Sequence, residues 1–569
     1  MNKDERELFW DQKARELLVW TKPWTRACPP ALGASASWFA GASLDTSANC
    51  LDRHMAEGRA DVPALIWQGE PENDTRVFTY SKLLDDVNRA AVALAGLGIT
   101  RGDVVGISLP ALPELPIAML ALARLGAVHL VFPAGLSPAK VSERLGVCNA
   151  KLFITADGFF KGGQPVATSQ PQGSPRRVLV RRTGVPLPDP RPDDLLWDDL
   201  MEAHPTPPRL PGAHVKADDP LFILYTSGSG GHPKGVVHTA GGFLTASAYS
   251  AKHAFNIGPG MTVWCLAEPG WIMGHAYAIL APLTLGATTL LFEGSPSYPK
   301  PDRIWRIAQR HRVATLLTTP ALTGQLMREG AAWPAARDLP SLALIASVGE
   351  KLTPENRRWL TDAVGKGRAP VVDAWGQTET GGALLFSCGP GEGLCPLPGA
   401  NVRVGEAGRL ILSAPWPGLA PRLVDAGLPI ADGRYDTGDL ARQTSDGAFV
   451  IQGHSEFVST GLPLALVEAA AAAHPDVAEA AAVAGGGAIM VYVTLRAEAL
   501  DREDMAEILD QTIRLNVSEP TLPLNVRIVA ELPKTRSGKI ARKALRQAAE
   551  GQTGDVSNLA DPSVMDALF

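Results

Sequence analysis

The stretch LYTSGSGGHPKGVVHT at residues 224–239 places glycines, hydroxyl side chains and one lysine between two apolar runs. Glycines let backbone N–H groups converge on phosphate oxygens, hydroxyls add donors, and a lysine supplies positive charge. The P-loop NTPase pattern fails, because Pro233 precedes Lys234 and Gly235 follows it. The kinase glycine pattern fails as well, since its expected context does not follow. Composition alone leaves a mobile surface loop and a phosphate loop as equal alternatives for this glycine loop (residues 226–234).

Three further segments contain residue types suited to nucleotide chemistry. They are WGQTETGG at 375–382, YDTGDLARQTSDGAFVIQG at 435–453 and LPKTRSGKIARKALR at 532–546. With TSGSGGHPKG they resemble, in the same order, four signatures of the adenylate-forming superfamily: the phosphate loop, the aromatic-x-x-Thr-Glu motif, the ribose motif and the catalytic-lysine motif. WFAGASLDTSANCLDRH and EPGWIMGHAYAILAPLTLGA are similar to the acetyl-CoA and propionyl-CoA synthetases of that superfamily, so the resemblance spans nearly the whole chain.

The resemblance implies an AMP-forming acyl-CoA synthetase for a short- or medium-chain carboxylic acid. A carboxylate is a poor electrophile, so it first attacks the α-phosphate of ATP and gives an acyl-adenylate, whose acyl group the CoA thiol then accepts. The protein must screen the repulsion between two anions and stabilise charge on the phosphate oxygens. The expected cofactors and co-substrates are therefore ATP, Mg²⁺ and CoA.

The same resemblance assigns roles to single residues. Lys539 is the expected catalytic lysine, Thr378 contacts the α-phosphate, and Glu379 holds Mg²⁺. The alternative for Lys539 is a solvated lysine in a basic run. Asp439 is expected to accept from the ribose hydroxyls, and its alternative role is to fix a turn. The residues expected to bind ATP or AMP are Thr226, Ser227, Gly228, Ser229, Gly230, Gly231, Lys234, Gly349, Glu350, Lys351, Asp373, Ala374, Trp375, Gly376, Gln377, Thr378, Asp439 and His454.

The acyl pocket and the CoA site are implied in the same way. Acetyl-specific relatives carry two tryptophans before Gln-Thr-Glu-Thr, and this chain has Gly376 at the second, which predicts an acid larger than acetate. The alternative is that Met273 fills the space. Lys161, Arg514 and Gly461 are the residues expected at CoA. The residues expected to line the acyl pocket are Trp271, Ile272, Met273, Gly274, Val348 and Gly376.

The chain also departs from the family pattern. Gly230, Gly231 and His232 stand where relatives have Thr-Gly-Lys, and His454 replaces an arginine. Glu456 stands near the hinge aspartate, and the loop after it is shorter and lacks a second arginine. Because that loop lines the pantetheine tunnel in relatives, two alternatives stay open. One is an adenylating enzyme that passes the acyl group to an amine or a carrier-protein thiol, and the other is a nucleotide-binding homologue with eroded catalysis.

Composition excludes several other classes. The net charge of -6, without a basic stripe, argues against nucleic-acid binding. The charged amphipathic N-terminus lacks the apolar segment of a signal peptide, and no apolar run is long enough for a membrane span. The six cysteines lie apart, without CxxC or a His/Cys cluster, which is typical of a reduced cytoplasmic protein and not of a disulfide scaffold or a zinc site. We expect a monomer or small homo-oligomer.

Short β-rich runs alternate with helix-like segments from Phe78 onward, which is typical of a largely parallel α/β sheet. Residues 158–192, rich in Gly and Pro, predict an irregular surface excursion. After Gly453, ALVEAAAAAHPDVAEAAAVA predicts a helix, followed by strand, helix and strand. The expected fold is therefore α/β, with a large N-terminal domain of mixed and parallel sheets flanked by helices (1–453). A small mobile α+β domain (454–569) carries the catalytic lysine.

Overall fold

The structure, a computed structural model, describes most of the chain. It leaves out residues 34–36, 134–135, 169, 188, 206–209, 211, 227–233, 390–392, 455–457, 460–461, 486–487, 497–503, 518–522, 536–538, 553–555, 557–558 and 569. None of the described helices is both long and apolar enough to cross a bilayer.

The α-helices, in chain order, are α1 (Lys3–Leu17), α2 (Thr46–Cys50), α3 (Asp52–Ala56), α4 (Tyr80–Gly96), α5 (Glu114–Leu125), α6 (Pro138–Val147), α7 (Trp197–Glu202), α8 (Ala240–Phe255), α9 (Ile272–Gly274), α10 (Ala281–Thr284), α11 (Arg303–Arg310), α12 (Pro320–Glu329), α13 (Ala332–Ala335), α14 (Pro354–Trp359), α15 (Leu464–Ala472), α16 (Met505–Val517) and α17 (Arg542–Ala549). The segments His275–Leu280 and Leu360–Val364 are π-helical, and Glu406–Gly408 and Pro562–Leu568 are 3₁₀-helical.

The strands, in chain order, are β1 (Trp20–Lys22), β2 (Ser43–Leu44), β3 (Pro63–Gln68), β4 (Thr75–Thr79), β5 (Val104–Ser108), β6 (Val128–Val131), β7 (Leu152–Ala156), β8 (Gly158–Lys161), β9 (Gln164–Ala167), β10 (Arg177–Val180), β11 (Leu195–Leu196), β12 (Val215–Lys216), β13 (Pro220–Thr226), β14 (Lys234–Thr239), β15 (Thr262–Cys265), β16 (Thr288–Phe292), β17 (Val313–Thr318), β18 (Leu344–Val348), β19 (Val371–Gln377), β20 (Gly382–Ser387), β21 (Leu394–Pro396), β22 (Val402–Val404), β23 (Arg409–Leu412), β24 (Arg422–Leu423), β25 (Ile430–Ala431), β26 (Arg434–Gln443), β27 (Phe449–His454), β28 (Val458–Ser459), β29 (Leu462–Pro463), β30 (Val477–Gly485), β31 (Ala488–Leu495) and β32 (Leu524–Ile528).

The chain forms two compact units. The larger unit comprises Met1–Gly228, Pro233–Asn401 and Leu412–Tyr435, and the smaller one includes Val402–Ile411 and Asp436–Phe569. The last division between the two compact units falls after Tyr435, before the predicted domain boundary between residues 453 and 454. That domain boundary stays a prediction.

Two extended sheets form the larger unit. The first sheet has the order β11-β10-β7-β5-β6-β13-β14-β24 and is parallel from β11 to β13. The second sheet has the order β21-β20-β19-β18-β17-β15-β16-β3-β4 within this unit and is parallel from β19 to β3. Apolar side chains of α11 pack on β15, β17 and β18 in one buried cluster. Helix-covered parallel strands of this kind read as continuous apolar runs, as the sequence predicted.

Helix α4 shows how the sequence sets an element that covers the sheets. Its N-cap Thr79 accepts a hydrogen bond from the backbone N–H of Lys82, which satisfies one of the first unpaired amides. Leu83, Val87 and Leu94 recur at helical spacing and are buried. The cap and the apolar face together fix where this helix begins and which side it buries.

The smaller unit has a core on each face of its sheet. Strand β31 pairs antiparallel with β30 and parallel with β32. Along β31, Val491 and Val493 pack with α15 and α16, whereas Tyr492 packs with α17 on the other face. This alternation is the period-two pattern of a strand covered on both faces.

Two predictions about elements are wrong. ALVEAAAAAHPDVAEAAAVA is not one helix, because α15 ends before Pro475 and the remainder forms β30. Pairing with β31 overrides the high helix propensity of alanine there. The stretch 158–192 is not wholly irregular, since its Arg177–Val180 is a buried strand parallel to β7. Flanking glycines and prolines hide so short a strand in the sequence.

The structure contains a disulfide, which the cysteine spacing did not indicate. Cys388 and Cys395 form it, with Cα atoms 5.5 Å apart. Antiparallel pairing of β20 with β21 brings these two residues together, and their spacing in the sequence does not reveal that pairing. The other four cysteines are free and buried.

Buried histidines form a row across the first sheet. His129, Phe222 and His238 occupy facing positions on β6, β13 and β14, and their rings stack. His275 packs on Phe222, and its Nε2 lies 3.0 Å from Nε2 of His129. The Nδ1 of His275 faces the carbonyl of Pro269 at 3.2 Å, so Nδ1 carries the proton and Nε2 accepts from His129. Burial lowers the pKa of all three histidines, which are therefore neutral at pH 7.

We expect the free energy of unfolding to fall as the pH is lowered from 6.5, the ordinary pKa of histidine, toward 4. The reason is that burial lowers the pKa of His238 to about 4 and that of His275 to about 3. In this window the unfolded chain binds protons that the folded chain excludes, so stability is lost on acidification. Each such histidine contributes a slope of ~1.4 kcal/mol per pH unit. Denaturant titrations between about pH 5.5 and 4.5, where the unfolded histidine is nearly fully protonated, should give a slope smaller by about one such increment for His275→Gln than for wild type. Equal slopes would contradict a neutral His275.

Candidate active site

Four parallel strands of the second sheet end at one edge. Strands β15, β17, β18 and β19 are neighbours and parallel, so their carboxyl ends lie on the same side of the sheet. Gly349 follows β18, and Trp375 and Gln377 lie at the end of β19. In open α/β sheets, ligands bind at this edge. Residues that are far apart in the sequence are thereby brought to one candidate site.

Asp373 of β19 is a buried carboxylate, 5% exposed, at this edge. Its Oδ2 accepts from the backbone N–H of Leu352 at 3.2 Å, and its Oδ1 has no hydrogen-bond partner among the described residues. Burial raises the pKa of Asp373 to about 6. An open acceptor in a buried position fits the exocyclic amine of adenine. Its buried neighbour Ala374 pairs with Val348 of β18, and Glu350 is half-buried while Lys351 is exposed.

Gly376 lies at a close approach of two strands. The register of β19 with β20 shifts between Trp375 and Gly376, and a Cβ on Gly376 would stand 1.9 Å from the carbonyl oxygen of Gly382. The glycine therefore admits the backbone of β20 in the direction that a side chain would take. That a larger acyl pocket results from this glycine stays a prediction.

The glycine loop joins two paired strands. Thr226, the last residue of β13, faces Lys234, the first residue of β14, in the antiparallel ladder. Both are half-buried. Ser227, Gly228, Ser229, Gly230 and Gly231, predicted to bind phosphates, lie outside the described residues.

The Thr-Glu turn (residues 378–380) follows β19. The carbonyl of Thr378 accepts from Nε2 of His238 at 2.7 Å, and His238 lies on β14, the strand that Lys234 begins. The sequence did not single out Thr380, although the quoted motif contains it. Its Oγ1 accepts from the backbone N–H of Gln377 at 2.8 Å and closes the turn. The glycine-loop hairpin and the Thr-Glu turn are thus connected by a buried hydrogen bond.

Glu379 is the residue that was predicted to hold Mg²⁺. No group of three or more His, Cys, Asp or Glu side chains close enough to bind a metal occurs in the described part of the chain. Mg²⁺ usually binds one or two carboxylates together with substrate phosphates and water, so a single half-buried Glu379 fits that mode.

The predicted acyl-pocket residues divide by burial. Ile272, Met273, Gly274 and Val348 are buried, whereas Trp271 is half-buried. The segment that contains the first three follows β15, two strands from β18. The indole Nε1 of Trp271 has no hydrogen-bond partner among the described residues.

Asp439 and Lys539 belong to the smaller unit. Asp439 is a buried residue of β26, its backbone N–H donates to Oγ1 of Thr437 at 3.2 Å, and its register partner on β27 is His454. Lys539 is exposed, and its backbone N–H donates to Oγ1 of Thr535 at 3.2 Å. These two residues were predicted to act with residues of the larger unit, and that joint action stays a prediction.

Ion pairs hold both flanks of the Lys539 segment. Lys534 binds both carboxylate oxygens of Glu479 at 2.9 and 2.8 Å, and Arg542 binds Glu468 at 2.8 Å. Lys534 and Arg542 are thus each neutralised by a specific partner, while Lys539 lies exposed between them.

The predicted CoA residues differ in their surroundings. Lys161 is exposed at the tip of the β8–β9 hairpin, where the buried carboxylate of Glu70 accepts from the backbone N–H groups of Gly162 and Gly163 at 2.9 and 2.8 Å. Arg514 of α16 forms a two-point ion pair with Asp510, which raises the pKa of the guanidinium. Any phosphate that Arg514 binds must compete with that carboxylate. Gly461 and Glu456 lie outside the described residues.

Comparison with known proteins identifies the family of the chain. Residues 52–441 match the family model of AMP-binding enzymes, 466–539 that of the AMP-binding enzyme C-terminal domain, and 2–50 that of the acetyl-coenzyme A synthetase N-terminus. The acetyl-coenzyme A synthetase of Rubrobacter xylanophilus is 38% identical over 607 residues, which cover 99% of this chain and 93% of that protein. That of Stutzerimonas stutzeri is 40% identical over 616 residues, with coverage of 99% and 93%.

A solved structure confirms the predicted fold class. Acetoacetyl-CoA synthetase from Streptomyces lividans superposes with a TM-score of 0.87 at 22% identity, covering 99% of this chain and 92% of that one. The chain therefore belongs to the AMP-binding enzyme family and, within it, to the group that includes the acetyl-coenzyme A synthetases.

Proposed function

We propose that the protein is an AMP-forming acyl-CoA synthetase that activates a short- or medium-chain carboxylic acid larger than acetate and transfers it to CoA. The hydrogen bond from His238 to the carbonyl of Thr378 carries the adenylation part of this proposal, because it ties the glycine-loop hairpin to the Thr-Glu turn. The size of the acid rests only on the resemblance, since Gly376 stands where acetyl-specific relatives have a tryptophan. We expect Lys234, which begins the strand that contains His238, and Glu379 of the turn to contact one substrate. Catalysis of phosphoryl chemistry is mainly positioning and charge stabilisation, which this arrangement supplies.

In the first half-reaction a carboxylate oxygen of the acid bonds to the α-phosphorus of ATP, and the bond to pyrophosphate breaks. Lys234 offsets charge on the outer phosphates, Thr378 donates to the α-phosphate, and Glu379 holds Mg²⁺. Lys539 brings a cation between the acid carboxylate and the α-phosphate, where negative charge accumulates. Asp373 and Asp439 hold the adenine amine and the ribose hydroxyls. Mg²⁺ held by Glu379 would supply further charge neutralisation at the phosphates.

In the second half-reaction the CoA thiolate bonds to the acyl carbon, and AMP leaves with the electrons of the broken bond. Lys161 is proposed to attract the 3′-phosphate of CoA. Arg514 is paired with Asp510, so it is less available to bind a phosphate of CoA. This pairing favours the alternative in which the acyl acceptor is an amine or a carrier-protein thiol.

Acid-dependent pyrophosphate release over a panel of carboxylates, with and without CoA, tests these proposals together. We expect release that depends on the acid and acyl-CoA that forms when CoA is present. Release without any acyl-CoA would favour the other acceptor. An absence of acid-dependent release would contradict both and support an eroded homologue. A kcat/KM that is highest for acetate would contradict the larger acid.

Lys539→Ala should lower the rate of acid-dependent pyrophosphate release by ~10²–10³-fold, because one charge-stabilising group is lost from the transition state. ATP affinity, measured by calorimetry, should stay nearly unchanged. Lys543→Ala is the matched control, since Lys543 is an exposed lysine on the adjacent helix α17. Near-normal adenylation by Lys539→Ala, or an equal loss in the control, would contradict the assigned role.

Lys161→Ala should raise the KM for CoA by roughly 5-fold, the size expected for one exposed charge pair. Acid-dependent pyrophosphate release without CoA should not change. The effect should disappear with 3′-dephospho-CoA, and the exposed Lys216→Ala serves as control. An equal KM effect with the dephosphorylated substrate would show that Lys161 does not contact the 3′-phosphate.

Gly376→Ala should destabilise the protein by ~1–3 kcal/mol, the usual range for overpacking, because the new Cβ meets the carbonyl of Gly382. The kcat/KM should fall for every acid in the panel. The control is Gly258→Ala, since no atom lies within 4 Å of the added Cβ there. A stable Gly376→Ala enzyme that loses only the larger acids would instead show that position 376 borders an open pocket.

A further inference from the structure

All three carbonyls of the Thr-Glu turn accept hydrogen bonds from other segments of the larger unit. Nε2 of His238 donates to the first at 2.7 Å, the backbone N–H of Ala420 to the second at 2.8 Å, and indole Nε1 of Trp416 to the third at 2.9 Å. His238 and Trp416 are each 1% exposed, so water does not compete for these bonds. Three consecutive peptide groups are thereby fixed from outside the turn.

In each of these hydrogen bonds the donor atom is unambiguous. A carbonyl oxygen only accepts, so Nε2 of His238 carries the proton, and an indole Nε1 is always a donor. Burial keeps the imidazole neutral, which leaves it as a fixed dipole and not as an added charge.

The segment that contains Trp416 and Ala420 also lies directly against the turn. A Cβ on Gly381 would stand 2.5 Å from the carbonyl oxygen of Gly418, and a Cβ on Gly418 would stand 2.5 Å from that of Thr380. Backbone therefore packs on backbone, and the turn has no room to shift toward this segment.

We propose that His238 and Trp416 are positioning residues for adenylation. They hold the Thr-Glu turn in the place where Thr378 would contact the α-phosphate and Glu379 would bind Mg²⁺, an inference that rests on the proposed function. Groups that stabilise developing charge act only when they are held in place beforehand. Because β14 contains both Lys234 and His238, the same strand positions the glycine loop and the turn.

The chain offers matched controls for both residues. His54 is a buried histidine, 1% exposed, whose Nε2 also faces a backbone carbonyl, that of Leu283, at 2.8 Å. Trp67 is a buried tryptophan, 0% exposed, whose Nε1 donates to the carbonyl of Ala111 at 2.8 Å. Neither residue belongs to the candidate site, so each reports the loss of an equivalent buried bond elsewhere.

The experiment compares His238→Leu and Trp416→Phe with His54→Leu and Trp67→Phe. We expect the first two to lower kcat for acid-dependent pyrophosphate release by ~10–100-fold per folded molecule, because small displacements of catalytic groups are that costly. KM for the acid should change far less, and the Mg²⁺ concentration for half-maximal rate should rise. The two controls should lose thermal stability without these changes, which thermal unfolding and AMP binding by calorimetry will verify.

His238→Gln provides rescue, since its side-chain amide restores an N–H donor. We expect it to recover a large part of the kcat that His238→Leu loses. Equal kcat per folded molecule in site and control variants, or no rescue by glutamine, would overturn the inference while leaving the proposed function intact. A wild type without acid-dependent pyrophosphate release would overturn the proposed function and this inference with it.

Discussion

The parallel hydrogen-bond ladder of β15, β17, β18 and β19 is the constraint on which the candidate site depends. Parallel pairing makes every carboxyl end face the same edge, whatever the side chains are. Segments separated by more than a hundred residues, from Trp271 to Gln377, thus reach one place. Helices bury both faces of such a sheet, so a slip in register would expose apolar side chains and is strongly disfavoured.

Close backbone approach is the second constraint, and it limits what single residues mean. Gly376 admits the carbonyl of Gly382, and Gly381 admits that of Gly418. At such positions the neighbouring backbone fills the space that a side chain would occupy, so a glycine does not by itself leave an open volume. The size of the acid that the pocket accepts therefore depends less on Gly376 alone than on how the buried side chains of Ile272 and Met273 shape the remaining space.

The sequence predicted the alternating α/β architecture and the parallel strands, because apolar runs and glycine-rich turns are local signals. The roles of the motif residues stay predictions. It missed β30 and the strand Arg177–Val180, whose formation depends on pairing with distant strands. It missed the disulfide for the same reason, since hairpin register brings Cys388 and Cys395 together. His238 and Trp416 were also beyond sequence reasoning, because nothing local shows that their donors reach the Thr-Glu turn.

The basic run around Lys539 shows how the structure distinguishes paired cations from exposed ones. A run of lysines and arginines is usually a solvated face, and each charge would then be equivalent. Here Lys534 and Arg542 are each bound to a glutamate, and both pairs are half-buried. Paired cations are held in one geometry and cannot move to a substrate without leaving a carboxylate unpaired. Lys539 is exposed between these two pairs, which is compatible with the proposed role of a mobile cation, and Lys543 of the same run is exposed as well.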